Sequence, residues 1–213
     1  VAEPFPPRFP FADKLAARKP LLQQRQRLSE STVQQTSQAM VAHAKNWPGW
    51  DAGTAKGALP AVVAGFWPLA GEPDLIPLLE WLAARGHPIC LPCVLAPDQP
   101  LVFRSWYVGD PLQPSAVGKG ALLEPLPQAM PLRPNLLLVP ALAIDARGNR
   151  LGFGAGYYDR SLAALTGEAV SDGRPPITAV GVAFQAFWYD SLLIEPHDQP
   201  LQAGLHEGGW VDF

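Results

Sequence analysis

The chain has 213 residues, of which 48% are hydrophobic and 16% charged, a balance that excludes a disordered protein and suits one self-sufficient globular core. Its formal net charge of −3 gives no electrostatic basis for a nucleic-acid or anionic-membrane partner. No apolar run approaches the roughly 18 residues needed to cross a bilayer.

The first residues, VAEPFPPRFP, are proline-rich and lack the apolar core of a signal peptide. A mobile tail over residues 1–11 is expected, followed by a single α/β domain over residues 12–213 of a cytoplasmic protein. ADKLAARKPLLQQRQRLS has helical character but contains Pro20, which predicts a break or a first-turn position. Six of the sixteen Lys and Arg residues precede residue 28, and a basic helix of this kind is ordinarily a solvated face. A second helix is predicted to start near Ser29–Ser31, with Val33, Met40, Ala44 and Trp47 on one face.

From residue 60 the pattern changes. AVVAGFW reads as a buried strand, and DLIPLLEWLAARG as a helix that Gly86 ends. PICLPCV is a further strand, so its Cys90 and Cys93 read as buried, reduced thiols. A redox pair would open a helix, and a zinc site would need a second Cys/His pair. LVFRSWYV alternates as an antiparallel or edge strand does, and NLLLVPALAI is apolar almost throughout. GYYDRSLAAL then reads as helix and ITAVGVAF as a buried strand. The alternation predicts a three-layer α/β/α sandwich with a mainly parallel, Rossmann-like open sheet, whose ligands sit beyond the carboxyl ends of its strands.

The loop with most chemical content is RLGFGAGYYDR, residues 150–160. Glycines before a helix let backbone amides approach a ligand, and helix-start amides suit a phosphate. Arg150 can add a bidentate contact, and Asp159 is a hard donor suited to magnesium. Alternate glycines are also what a glycine-rich turn needs. The run is neither the dinucleotide GxGxxG, since Tyr157 stands at its last glycine, nor a Walker A loop.

IDARGNRLGFGAGYYDR, after the strand LLLVPALAID, closely resembles the signature of the 5-formyltetrahydrofolate cyclo-ligase family. Other family-like elements occur in order: Lys14-Leu-Ala-Ala-Arg18, the GFWPLAGEPD loop with Trp67 and Glu72, LVFRSW, Leu123-Glu124-Pro125, and EPHDQPL at 195–201. The resemblance implies an ATP- and Mg²⁺-dependent enzyme that turns 5-formyltetrahydrofolate, a reduced folate, into 5,10-methenyltetrahydrofolate without an obligate protein partner. It implies that Lys14 and Arg18 reach ATP phosphates, with Arg18 also near substrate. Arg150, Leu151, Gly152, Phe153, Gly154, Ala155, Gly156, Tyr157 and Tyr158 would wrap the nucleotide. Arg150, Tyr158 and Lys14 would act at the transferring phosphoryl group, Tyr158 also bordering the folate. Glu72 would accept the pterin's N–H donors, Trp67 would pack on the folate, and Asp159 and Asp198 would hold Mg²⁺.

The chain departs from the family's usual residues at several places. Ala155 stands where Gly or Lys is common, and Phe153 where Tyr, Arg or Lys is. Phe187 replaces a usual glutamine, Leu193 a proline, His206 a threonine and Asn135 an aspartate. These changes keep open a second reading, a catalytically weakened relative that binds nucleotide or folate. His43 and His87 read as peripheral, and His197 as a neighbour of the metal position at Asp198.

Overall fold

The computed structural model describes residues 7–47, 50, 60–117 and 122–213. The basic N-terminal segment forms α1 (Lys14–Gln26), capped by Asp13, whose carboxylate accepts the Ala16 N–H at 2.7 Å. Pro20 neither breaks nor opens this helix, contrary to expectation. It lies on the exposed side, where solvent can serve the carbonyl that its ring deprives of an N–H donor. Helix α2 (Glu30–Lys45) follows, with Ser29 Oγ accepting the Thr32 N–H at 3.1 Å as its cap. Met40 and Ala44 are its buried residues among the expected four; Val33 and Trp47 are partly buried.

The expected mobile tail needs correcting at its inner end. Residues 1–6 lie outside the described residues, but 7–11 are docked. The Pro7 carbonyl accepts the Asp190 N–H at 3.1 Å, and Phe9 N–H donates to the Asp190 carboxylate at 3.2 Å. The Phe9 ring meets those of Phe11 and Tyr189 edge-on, each at 5.2 Å. Two phenylalanines with a groove to fill outweigh the prolines around them.

The strands are β1 (Val63–Ala64), β2 (Ile89–Cys93), β3 (Val102–Ser105), β4 (Leu112–Pro114), β5 (Leu123–Pro125), β6 (Pro131–Leu132) and β7 (Leu136–Pro140). They continue with β8 (Ala143–Asp145), β9 (Arg150–Leu151), β10 (Thr178–Val182), β11 (Trp188–Tyr189), β12 (Ala203–His206) and β13 (Gly209–Asp212). Helix α3 (Ile76–Ala84) joins β1 to β2, and α4 (Tyr157–Ser171) precedes β10. One eight-stranded sheet runs in the order β13-β12-β10-β7-β1-β2-β3-β6. Its five inner strands from β12 to β2 are parallel, and the outer pairings are antiparallel. The fold is thus the expected α/β sandwich on a mainly parallel sheet. No helix among the described residues is long and apolar enough to cross a membrane. Both thiols are free and buried, and burial pushes Cys93 up to about 12 and Cys90 higher still.

Two features of this topology place the site. From β1 the chain crosses to β2 in one direction along the sheet, whereas from β7 it crosses to β10 in the other. Right-handed crossovers in opposite directions lie on opposite faces, so the segments leaving the carboxyl ends of β1 and β7 part and open a crevice between them. The segment after β1 carries Trp67 and Glu72; the segment after β7 carries the glycine run.

The second feature is Asp145, fully buried at the end of β8. Its carboxylate accepts the N–H groups of Arg147 and Asn149, the Asn149 side-chain amide, and the Leu192 N–H, all at 2.8–2.9 Å. It therefore shapes the hairpin that leads into β9 and delivers Arg150. Gly148 in this turn has φ +78°, and a Cβ there would meet the Leu201 carbonyl at 2.7 Å. Replacing Asp145 by Ala leaves four part-buried N–H groups without their acceptor, so Asp145→Ala is expected to lose about 3–5 kcal/mol and roughly 10 °C in Tm. Asp145→Asn keeps one acceptor and should lose less; thermal and denaturant unfolding check both values.

Candidate active site

Positions 14, 18 and 25 of α1 fall within about 40° of one another on the helical wheel. Lys14 and Arg25 are buried and Arg18 partly so, which makes this basic face an inner one rather than the solvated face its composition implies. Each cation has an acceptor far away in sequence. The Lys14 ammonium pairs with Asp198 and, at 3.2 Å, with Glu195. Arg18 Nε donates to the Gly152 carbonyl at 3.2 Å. Arg25 Nη1 lies 3.2 Å from Glu72 Oε1.

The glycine run wraps around arginines. A Cβ on Gly152 would stand 2.8 Å from Arg150 Nη1, one on Gly154 3.1 Å from Arg18 Nε, and one on Gly156 2.7 Å from Arg160 Nη1. Gly154 and Gly156 also have φ of +103° and +66°, the left-handed region where a side chain is strained. Ala155 is not among the residues of positive φ, so its replacement of the family's glycine carries no backbone penalty. Arg160 closes the loop by donating to the Ala155 carbonyl at 2.6 Å, its guanidinium 5.3 Å from the Tyr157 ring centre. Helix α4 starts at Tyr157, directly after the loop, and no side chain caps its first amides.

Arg150 is 7% exposed, and its Nη2 lies 2.8 Å from Asp159 Oδ1. That contact is electrostatic rather than a well-directed hydrogen bond, and Nε and Nη2 are both buried without a hydrogen-bond partner. The Tyr158 hydroxyl is likewise buried and unpartnered, with Arg150 lying 5.7 Å from its ring centre. Burial, reinforced by the Glu72 charge, pushes the Tyr158 hydroxyl up, so it remains a protonated donor at neutral pH. Buried donors without a hydrogen-bond partner are what an anionic ligand would satisfy.

Glu72 is deeply buried rather than a surface acid. Its Oε2 accepts the Leu69 N–H at 2.8 Å while Oε1 faces Arg25. Burial pushes its carboxyl up, and Arg25 and the Leu69 amide pull it back. Trp67 is partly buried, with its ring 5.9 Å from that of Trp106.

The expected metal ligands do not form one cluster. Asp159 is held by Arg150 and by the Gln199 N–H at 3.2 Å. Asp198 groups instead with Glu195 and His197, their ligand atoms all within 4.8 Å. The carboxylates are hard donors that suit magnesium, but Lys14 already neutralises Asp198 and Glu195, so a cation there would have to displace its ammonium. A cleft of about 350 Å³ borders Gly154, Ala155, Gly156, Asp159, Arg160 and His197. A larger cavity, about 670 Å³, lies along α2 beside Gly71, and no Lys or Arg among the described residues lines it, so those residues give it no charge for phosphates.

Sequence reasoning missed Arg25 and Arg160, and placed His87 wrongly. His87 is buried, with Nδ1 3.1 Å from the Ala61 carbonyl oxygen. Several family departures have structural roles instead. Phe187 is buried in the core, the His206 ring lies 4.9 Å from that of Trp188, and Asn135 accepts the Val62 N–H at 2.8 Å as an aspartate would.

Residues 10–207 match the family described as the 5-formyltetrahydrofolate cyclo-ligase family. The chain belongs to that family. A 5-formyltetrahydrofolate cyclo-ligase of Mycolicibacterium smegmatis is 34% identical over 152 residues, covering 64% of this chain and 68% of the relative. One from Escherichia coli K12 is 30% identical over 182 residues, covering 80% and 94%. Among solved structures, the 5,10-methenyltetrahydrofolate synthetase of Aquifex aeolicus matches with TM-score 0.71 at 26% identity, over 93% of this chain and 92% of that one. The Mycoplasma pneumoniae synthetase, at 22% identity and TM-score 0.66, shares the fold.

Within this cyclo-ligase fold the Arg25–Glu72 pair gives a signed prediction. Arg25→Met should cost about 3–5 kcal/mol, since it leaves a buried carboxylate unpaired. Without Arg25, burial acts on Glu72 with less opposition, raising its folded-state pKa further above the unfolded value of about 4.3. A raised acid favours folding below its unfolded pKa, and that contribution is lost as pH rises through the folded pKa. Denaturant unfolding across pH should therefore show Arg25→Met losing stability relative to wild type as pH rises, with Glu72→Gln added on top flattening the profile. Parallel wild-type and variant profiles would refute the pairing.

Proposed function

We infer that the protein converts 5-formyltetrahydrofolate to 5,10-methenyltetrahydrofolate, coupled to cleavage of ATP to ADP and phosphate. The formyl oxygen takes the γ-phosphoryl group, N10 attacks the activated carbon, its proton departs, and the C–O bond breaks to release phosphate. The observation that carries this reading is the crevice itself, where the arginine-packed glycine loop and the buried acid Glu72 flank the parting of β1 and β7.

In this reading the amides of residues 152–156 and the start of α4 receive the triphosphate. Lys14, Arg18 and Arg150 supply the positive charge that stabilises phosphoryl transfer, a reaction that needs positioning and electrostatics more than covalent help. Arg150, held by Asp159 through Nη2, then directs its Nε donor at the transferring group. The protonated Tyr158 hydroxyl borders nucleotide and folate, Glu72 accepts the pterin's N–H donors, and Trp67 covers the folate. Asp159 and Asp198 are the carboxylates that would hold Mg²⁺, which would neutralise phosphate charge. We further read the enzyme as cytoplasmic and self-sufficient, without nucleic acid, membrane or an obligate protein partner.

Purified protein mixed with MgATP and 5-formyltetrahydrofolate should show the methenyl chromophore rising in the near ultraviolet, only when both reactants are present. Nucleotide binding without any absorbance rise would replace this reading by that of a binding relative. Lys14→Ala and Arg18→Ala should each lower kcat/KM about 10- to 100-fold, the range for one lost charge-assisted hydrogen bond. Asp159→Ala should abolish activity or its magnesium dependence; unchanged turnover and magnesium dependence would remove Asp159 from the site.

A further inference from the structure

Phe153 is the one aromatic side chain on the glycine loop before Tyr157, and the residue is 42% exposed. It does not stand free over the cleft. The Arg25 guanidinium lies over it, 4.9 Å from the ring centre, while the same guanidinium faces Glu72 at 3.2 Å from inside the fold. Arg25 is 4% exposed, so Phe153 forms part of what separates the ion pair from water. Gly71, with φ +77°, lies so near the Arg25 backbone that a Cβ would meet its carbonyl oxygen at 3.0 Å. The Glu72 loop therefore packs closely against the end of α1. With Oε2 tied to the Leu69 N–H, the carboxylate is fixed from two sides, and one of them leads to the glycine loop.

We propose that Phe153 and Arg25 are positioning residues that couple the glycine loop to Glu72, so that nucleotide on the loop strengthens folate binding at the acid. The inference rests on the proposed function and extends it. A nucleotide that fixes residues 152–156 fixes the Phe153 ring over Arg25, and Arg25 in turn holds Glu72 in the orientation that meets the folate. When the loop is loose, water reaches the guanidinium and the ion pair weakens as the local dielectric rises. The residue type matches this role. An Arg or Lys at 153 would set a second cation against Arg25, whereas a phenyl face attracts the guanidinium. Such coupling is reciprocal, so folate tightens nucleotide by the same factor.

The test is calorimetric binding of 5-formyltetrahydrofolate to the full chain, with and without a saturating non-hydrolysable ATP analogue and Mg²⁺. The wild type should bind folate about three- to tenfold more tightly with the analogue, the range for one partly exposed cation–π contact. Phe153→Ala and Phe153→Leu should bring that ratio to about one, while Phe153→Trp, which restores an aromatic face, should retain it. In steady state at saturating ATP, Phe153→Leu should raise the folate KM with a smaller change in kcat. Melting curves confirm that these loop variants fold. A ratio of one in the wild type, or a wild-type ratio in Phe153→Leu, would overturn the coupling and leave the folate reading intact. Failure of the wild type to bind 5-formyltetrahydrofolate under either condition would overturn both.

Discussion

Burying the cationic face of α1 is the constraint from which the site follows. Lys14 and Arg25 sit within the protein, and a buried charge without a partner would cost several kcal/mol. Each is answered by a different part of the chain: Lys14 by the segment 195–198, Arg25 by Glu72 in the loop after β1. Arg18, between them, takes the Gly152 carbonyl of the loop after β7. One helix thus joins three segments that the sheet alone would leave apart. The crevice at the carboxyl ends of β1 and β7 gives them a place to meet, and α1 sets how they meet.

This alters what the glycine spacing means. Glycines beside a phosphate site are usually explained by backbone approaching ligand. Here the space left by three missing side chains is filled first by the guanidiniums of Arg150, Arg18 and Arg160. The loop is therefore shaped by the cations packed against it, and Gly154, Ala155, Gly156 and Arg160 border one cleft together. Ala155 fits between two positive-φ glycines because its own position does not require that conformation.

Most of the fold was legible because its signals are local. Apolar runs such as NLLLVPALAI mark inner parallel strands, Ser29 caps α2, and Gly86 ends α3, each through contacts within a few residues. The glycine–tyrosine run was legible as the family's signature for the same reason. What could not be read was long-range. Arg25 sits among exposed Arg, Lys and Gln residues, and only Glu72, 47 positions away, distinguishes it. The 14, 18, 25 spacing did hold a clue, since three cations on one helical face invite a common partner surface. Pro20 was misjudged because the buried face of α1, formed by Lys14, Ala17, Leu21 and Arg25, sustains the helix while Pro20 stays on its exposed side. Pro7–Phe11 was misjudged because the groove that holds Phe9 is built from Tyr189 and Asp190, far along the chain. Asp159 and Asp198 come from two separate family-like elements and are held by different cations, Arg150 and Lys14.

The central claim is that the cations of α1 and the glycine loop jointly form the nucleotide site. It is tested most directly by a crystal structure of the protein with a non-hydrolysable ATP analogue and Mg²⁺. The account predicts phosphates against the amides of residues 152–156, with the Lys14 ammonium drawn from Asp198 toward a phosphate oxygen and Arg18 still on the loop. A nucleotide seated elsewhere, such as the cavity along α2, with Lys14 and the glycine loop unchanged, would contradict it.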